Sequence, residues 1–397
     1  MLQGYDIVAF SYSDWYAVQS SPQHLMRVAA EQNRVLFVDV PRSFLRFFKR
    51  LDPLSSRVPV SRALEHVGDN MHVFHPAHRF LPVGRLPLYA AHKTLQLNGR
   101  MLAQMLHPIL RELKFDNPIL WNFSPLHGAC LPHLPGRLTV HDICDDWSNY
   151  LHSPTARILV EDVDVALTKS ADVAFVFSNY MLHRRAGLND HTYVVLPAGD
   201  VKHYSQAALP ETQVPAELSQ FQRPIIGAIC VVDPFRFDPG LLAYIGKTHP
   251  EWSVVVLGPV QPGVDLSPLK HVSNVHMMGN RPLEQMPSYL KGFDVAIIPY
   301  ALNDATRGIY PMKTQEYLAA GKPVVAPPLP ECLRLAPHVR FGESHTLFVK
   351  AIEEALATDS PEQAAERRAL AAQNTWTHRF HERAAHVVRR MTELQQV

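Results

Sequence analysis

Short apolar runs alternate along this chain with longer stretches in which apolar residues recur every three or four positions. The first pattern is that of a buried parallel strand, and the second that of a helix with one face on a core. In the first half the runs predict strands over 7–10, 35–38, 119–122, 138–141, 173–177 and 193–196, and the spacing predicts helices over 22–32, 88–113, 155–170 and 179–186. Residues 202–224 are rich in Gln, Pro, Ala and Ser, lack a strong period, and predict a linker. A second series follows. It predicts strands over 225–229, 253–257, 275–278, 295–299 and 323–326, and helices over 239–248, 287–291, 313–320, 344–358, 361–373 and 375–394. Such alternation is the signature of parallel α/β sheets.

At 397 residues the chain suits two domains. The expected division is 1–201, a linker 202–224, 225–374, and a terminal segment 375–397. No apolar run approaches the roughly 18 residues that span a bilayer, and no basic stretch leads into an apolar one as a signal peptide would. Cys130, Cys144, Cys230 and Cys332 are scattered without a C-x-x-C pair, which argues against a disulfide framework or zinc site and fits a reducing cytoplasm. A net charge of +1 argues against nucleic acid as a partner.

Charge is nevertheless uneven, with 14 Lys/Arg against 8 Asp/Glu in residues 1–114. The excess centres on 42–51, where Arg42, Arg46, Lys49 and Arg50 are interleaved with Phe44, Phe47 and Phe48. Rings at headgroup depth and cations at lipid phosphates would suit peripheral contact with an anionic membrane. A helix with its three phenylalanines turned into a core fits the same pattern. Residues 79–86 repeat the composition more weakly.

No G-x-G occurs, so a dinucleotide fingerprint is missing, and no G-x-x-x-x-G-K-[ST] loop occurs either. The most informative stretch is 311–326. It places Lys313 and Glu316 three residues apart at the start of a short helix, followed by Gly321-Lys322-Pro323 and an apolar strand. Residues three apart share a helix face, and a helix N-terminus attracts phosphate. Lys313 is thus suited to a diphosphate and Glu316 to a ribose diol. A solvated ion pair on an ordinary amphipathic helix is the plainer alternative.

The whole string resembles the nucleotide-sugar motif of GT-B glycosyltransferases, P-x-K-x-x-E-Y-x-A-x-G-x-P-V-V. Further stretches resemble the family. They are Gly227-Ala228-Ile229, residues 274–281 with 286–290, residues 293–300, residues 171–178, and Leu196-Pro197-Ala198-Gly199-Asp200, which stands where many members read P-N-G-V-D. The resemblance implies two Rossmann-like domains facing across a cleft, the first binding acceptor and the second binding nucleotide sugar, with the terminal helix crossing back to the first. The donor set it implies is Lys313, Glu316, Arg281, Gly227, Arg307 and Met312, without a metal or other cofactor.

The pattern departs from retaining members of the largest family. Their second Glu, eight positions before the helix Glu, corresponds to Gly308 here. Their Arg and Lys after the first strand of the second domain are reduced to Arg236. Teichuronic-acid-type transferases and the inverting xanthan glucuronosyltransferase are more similar.

An inverting transferase needs a general base for the acceptor hydroxyl. Asp142, Asp145 and Asp146 follow a predicted buried strand, and neighbouring carboxylates raise one another's pKa. The xanthan-type resemblance puts the catalytic Asp on Asp145, with Asp146 as second candidate. Helix capping or loop orientation is the structural alternative. No H-x-D or D-x-D occurs within 140–148 to suggest a metal. In the first loop Asp14 is a rival base, while Trp15 and His24 are candidates for the acceptor side. The function expected is transfer of a sugar from a nucleotide diphosphate, UDP foremost, to a lipid-linked or polysaccharide acceptor. A sugar-nucleotide epimerase and a catalytically silent binding subunit are the alternatives.

Overall fold

A computed structural model describes residues 2–17, 19–41, 63–76, 80–83, 86–151 and 153–396. The membrane-contact candidates Phe44, Arg46, Phe47, Phe48, Lys49 and Arg50 lie outside the described residues. The chain forms two compact units, one of Met1–Leu196 with Trp376–Val397 and one of Pro197–Thr375.

The first unit is built on β1 (Asp6–Phe10), β2 (Arg34–Val38), β3 (Leu64–Gly68), β4 (Met71–Phe74), β5 (Ile119–Asn122), β6 (Leu138–Ile143), β7 (Val173–Val176) and β8 (Thr192–Val194). They form one sheet in the order β3-β4-β2-β1-β5-β6-β7-β8, in which only β3 and β4 pair antiparallel. Strands β5 and β7 are buried end to end and β1 over all but its first residue, as in a parallel sheet covered by helices on both faces. Sequence order reverses between β1 and β5. In open parallel sheets ligands bind at the carboxyl ends beside such a reversal.

The second unit carries β9 (Ile225–Ile229), β10 (Ser253–Leu257), β11 (Val275–Gly279), β12 (Val295–Ile297), β13 (Val324–Ala326) and β14 (Val339–Phe341), all parallel, in the order β11-β10-β9-β12-β13-β14. Here the reversal lies between β9 and β12. Asp238, Ser344 and Ser360 cap the helices that follow them by accepting a backbone N–H three residues on. Two of those helices open on proline, whose missing N–H costs nothing in the first turn.

Three strands were not predicted, β3, β4 and β14. The first two form an edge hairpin whose Glu65, His66 and His72 interrupt the apolar pattern, and β14 is a three-residue edge strand. Residues 202–224 do not form an extended linker. They hold the helix Val201–Tyr204 and two 3-10 turns, Ser205–Ala208 and Ala216–Gln220, all within the second unit. Tyr204, Ala207 and Leu218 are buried, which anchors a segment of weak periodicity by isolated apolar contacts.

The terminal helix Trp376–Gln395 is part of the first unit. Its Arg383 is fully buried and pairs with the equally buried Asp142 at the end of β6 over 2.9 Å. Arg383 also donates to the Val195 carbonyl at 3.0 Å, and Trp121 Nε1 donates to Asp142 Oδ2 at 3.1 Å. A charge pair this deep persists only with such additional hydrogen bonds.

Candidate functional site

In the second unit the helix Met312–Ala319 starts at the strand-order reversal. Tyr317 pins it there, its hydroxyl accepting from the Ile229 N–H at 2.7 Å and donating to the Ile229 carbonyl at 3.2 Å. Ile229 ends β9. Gly199 lets the preceding segment lie flat on this helix, since a Cβ there would stand 2.9 Å from Gln315 Cβ and 3.0 Å from the Glu316 nitrogen. Asp200 then caps the helix Val201–Tyr204, which delivers Tyr204 to Lys313.

Lys313 Nζ lies 2.8 Å from Glu316 Oε2 and donates to the Tyr204 hydroxyl at 3.3 Å. The pair is not the solvated one of an ordinary surface helix, because Glu316 is 5% exposed. Burial is the largest single influence and opposes the Lys313 charge, but Glu316, Tyr204 and Tyr317 together hold the ammonium well above its usual pKa. Arg236 stands nearby, over the Tyr300 ring at 5.7 Å and held by Asp233 at 2.7 Å. Burial pushes the Cys230 thiol and the Tyr300 hydroxyl up to about 12 each, and the positive charges of both Lys313 and Arg236 act against this. Cys230 follows β9 and Tyr300 follows β12, so two cations converge on the carboxyl ends that flank the reversal.

The other donor candidates have different partners. Arg281 forks onto Glu217 at 3.1 and 3.0 Å, bonds the Tyr289 hydroxyl, and donates to the Met278 carbonyl at 2.6 Å. It closes a loop instead of presenting a free fork to phosphate. Gly227 is required by packing, since a Cβ would meet the Phe293 ring at 2.0 Å. Arg307 is mostly exposed and pairs with Asp304 over 3.4 Å. Met312 opens the helix and is half-buried. Sequence reasoning assigned no role to Lys322 of the Gly-Lys-Pro turn. It donates to the carbonyls of Lys291 and Phe293 at 2.9 and 2.7 Å, joining the motif to the end of the helix Met286–Gly292.

In the first unit the loops after β1 and β6 meet at the carboxyl end of the sheet, where the rings of Tyr12 and Trp147 lie 4.6 Å apart. The three carboxylates after β6 separate by environment. Asp142 is consumed by Arg383. Asp146, also buried, is ion-paired with Arg184 and accepts from the Ser148 hydroxyl at 2.9 Å. Asp145 is partly exposed and accepts from the Tyr150 hydroxyl at 3.0 Å and the Asp146 N–H at 2.9 Å. Burial, with the charges of Cys144, Asp145 and Asp142, holds the Tyr12 hydroxyl well above its usual pKa, so Tyr12 is a neutral neighbour.

The acceptor-side candidates have packing partners within the first unit. Trp15 is 7% exposed, packs edge-on to Phe37 at 5.0 Å, and carries Arg27 over its face. His24 stacks parallel on Trp376 at 5.1 Å, fastening the terminal helix. Asp14 accepts from the Val40 N–H at 3.3 Å and lies close enough to Asp39 for its charge to raise that carboxyl's pKa, behind burial as the main cause. Among the described residues no group of three or more His, Cys, Asp or Glu is placed to hold a metal ion, and no helix is long and apolar enough to cross a membrane. All four cysteines are buried and free.

The family described as "Glycosyl transferases group 1" matches residues 241–359. The chain is 29% identical over 163 residues to the putative teichuronic acid biosynthesis glycosyltransferase TuaH of Bacillus subtilis, a match covering 39% of this chain and 41% of that protein. Among solved structures, sucrose-phosphate synthase from Thermosynechococcus elongatus is 15% identical, with 99% of this chain and 98% of that one covered at a TM-score of 0.63. Anabaena Alr3699/HepE, in complex with UDP and glucose, is 14% identical, with coverages of 97% and 99% at a TM-score of 0.62. Residues 241–359 thus match the glycosyl transferases group 1 family, and the chain as a whole shares the fold of these solved structures.

Proposed function

We propose that the protein transfers a sugar from a uridine-diphosphate donor to a hydroxyl of a lipid-linked or polysaccharide acceptor in cell-surface or exopolysaccharide synthesis, acting at the cytoplasmic face of the membrane. The observation that carries the reading is the convergence of Lys313 and Arg236 on the carboxyl ends of β9 and β12, with the buried Glu316 one helical turn from Lys313. Two cations at such a position match a diphosphate, and a buried carboxylate matches the two hydroxyls of a ribose. The complex of the Anabaena protein with UDP and glucose supports uridine as the nucleoside of the donor. The relative from teichuronic acid biosynthesis and the basic aromatic run 42–51 support a membrane-bound acceptor.

Asp145 is the proposed general base. It takes the acceptor's hydroxyl proton as the oxygen bonds to the anomeric carbon. The bond from that carbon to the diphosphate breaks, and UDP leaves with its charge held by Lys313 and Arg236. Tyr150 orients the carboxylate by donating its hydroxyl to Asp145 Oδ1. The test is turnover of UDP-sugars by the purified protein with membrane lipid extract as acceptor, comparing wild type with Asp145→Asn. Release of UDP that depends on extract and on Asp145 supports the reading. Conversion of the donor without acceptor would replace it with an epimerase.

A further inference from the structure

The first unit contains a cavity of about 620 Å³ that the sequence gives no hint of. This is the size of a small-molecule site, for which about 300–1,000 Å³ is usual. One wall is the helix Leu88–Leu113, through Leu95, Gly99 and Leu102. Another is the segment 80–83, which Asn98 clamps with both ends of its amide, accepting from the Leu81 N–H and donating to the Leu81 carbonyl, each at 2.9 Å. Gly99 brings the long helix down on the turn Pro125–His133, because a Cβ there would stand 2.4 Å from the Ala129 carbonyl oxygen.

The lining of this cavity is of two kinds. Leu81, Pro82, Val83, Leu95 and Leu102 form an aliphatic lining. Tyr12, Trp147 and Tyr150 form an aromatic one, and the Tyr150 hydroxyl is bonded to Asp145. Two ring nitrogens in the lining residues, Nδ1 of His127 and Nε1 of Trp147, are buried with no hydrogen-bond partner among the described residues. Burial depresses the His127 pKa to about 3, so the imidazole is neutral and fits an uncharged ligand group. Val40 and Pro41 also line the cavity, and the basic aromatic run 42–51 follows them directly in sequence.

We infer that this cavity binds the hydrocarbon chain of an amphiphilic acceptor, whose hydroxyl-bearing head lies against Tyr12, Trp147 and Tyr150 within reach of Asp145. The inference rests on the glycosyltransferase reading for its chemistry and adds the acceptor class: an alkyl or prenyl chain carrying a sugar or hydroxyl head. Aliphatic walls supply affinity that grows with chain length, and aromatic faces suit a sugar ring.

The test is calorimetric titration with methyl, butyl, hexyl and octyl β-glucosides below their micelle concentrations. UDP binding is measured on the same samples. Each methylene that enters the cavity should tighten binding roughly fourfold. Val83→Asp, which places a charge in the aliphatic lining, should abolish the chain-length gain, and Val83→Leu should keep it. UDP affinity should be unchanged in both, and a melting profile like that of wild type shows that the first unit, which holds Val83, is folded. Binding of UDP without any chain-length dependence overturns the inference and leaves the transferase reading intact. Chain-length dependence that survives Val83→Asp also overturns it, because the chain then binds elsewhere. Chain-length dependence without binding of any nucleotide diphosphate sinks the transferase reading and keeps the cavity as an amphiphile site.

Discussion

The Tyr150 hydroxyl donates to Asp145 Oδ1 over 3.0 Å, while the adjacent Asp146 is buried in an ion pair with Arg184. On the proposed reading these two consecutive carboxylates have separate tasks, and substitution separates them. Asp145→Asn should lower kcat by about 10²-fold or more with UDP affinity unchanged. Asp146→Asn should lower the melting temperature and leave kcat within about tenfold. Steady-state kinetics with differential scanning calorimetry on both variants checks this, and the reverse pattern would exchange the assignments.

Arg383 and Asp142 provide a test of structure without chemistry. Arg383→Leu strands a fully buried carboxylate, which costs about 3–5 kcal/mol when one partner of such a pair is removed. Asp142→Leu/Arg383→Leu should recover much of the loss, since an apolar pair of similar volume suits the site. Denaturant unfolding followed by tryptophan fluorescence reads both. A single variant less than about 1 kcal/mol below wild type would mean that the pair is not closed in solution.

How much of this was legible depended on sequence distance. Lys313 and Glu316 stood out because their whole environment, helix start, glycine turn and strand, is written in sixteen consecutive residues. Long buried strands such as β9 and β10 were equally plain. Asp142 was read only as a neighbouring carboxylate of Asp145 and Asp146, because its partner Arg383 lies 241 residues away. The same holds for Asp146 and Arg184, 38 residues apart, and for Arg281, whose partner Glu217 sits in a stretch read as linker. The edge hairpin β3–β4 was missed because one face carries His66 and His72, whose rings lie 4.8 Å apart and imitate a loop composition. A cavity made by helix, turn and loop from distant parts of the chain leaves no local trace.

Lys322 gives the second unit a pH dependence of defined sign. Burial depresses its pKa to about 8, against an ordinary value near 10.4. Between these values the unfolded chain holds a proton that the folded unit has released, so stability rises with pH from about 8 to about 10.4 on account of this group. Below pH 8 the charge is present in both states and its burial is a constant cost. Denaturant unfolding of wild type and Lys322→Met across pH 7–10 checks it. Wild type should gain stability relative to the variant as pH rises, and a relative loss would contradict the assignment.

The most direct test of the account is calorimetric binding of UDP, GDP, ADP and dTDP to the protein and to Lys313→Ala and Glu316→Ala. Charge-assisted hydrogen bonds contribute about 1.5–3 kcal/mol each, so each variant should weaken binding by about ten- to a hundredfold. The account predicts that UDP binds in preference to the other three and that both substitutions weaken it. Equal or absent binding of all four, or UDP binding indifferent to both substitutions, would make the Lys313–Glu316 helix a structural element and contradict the proposed donor site.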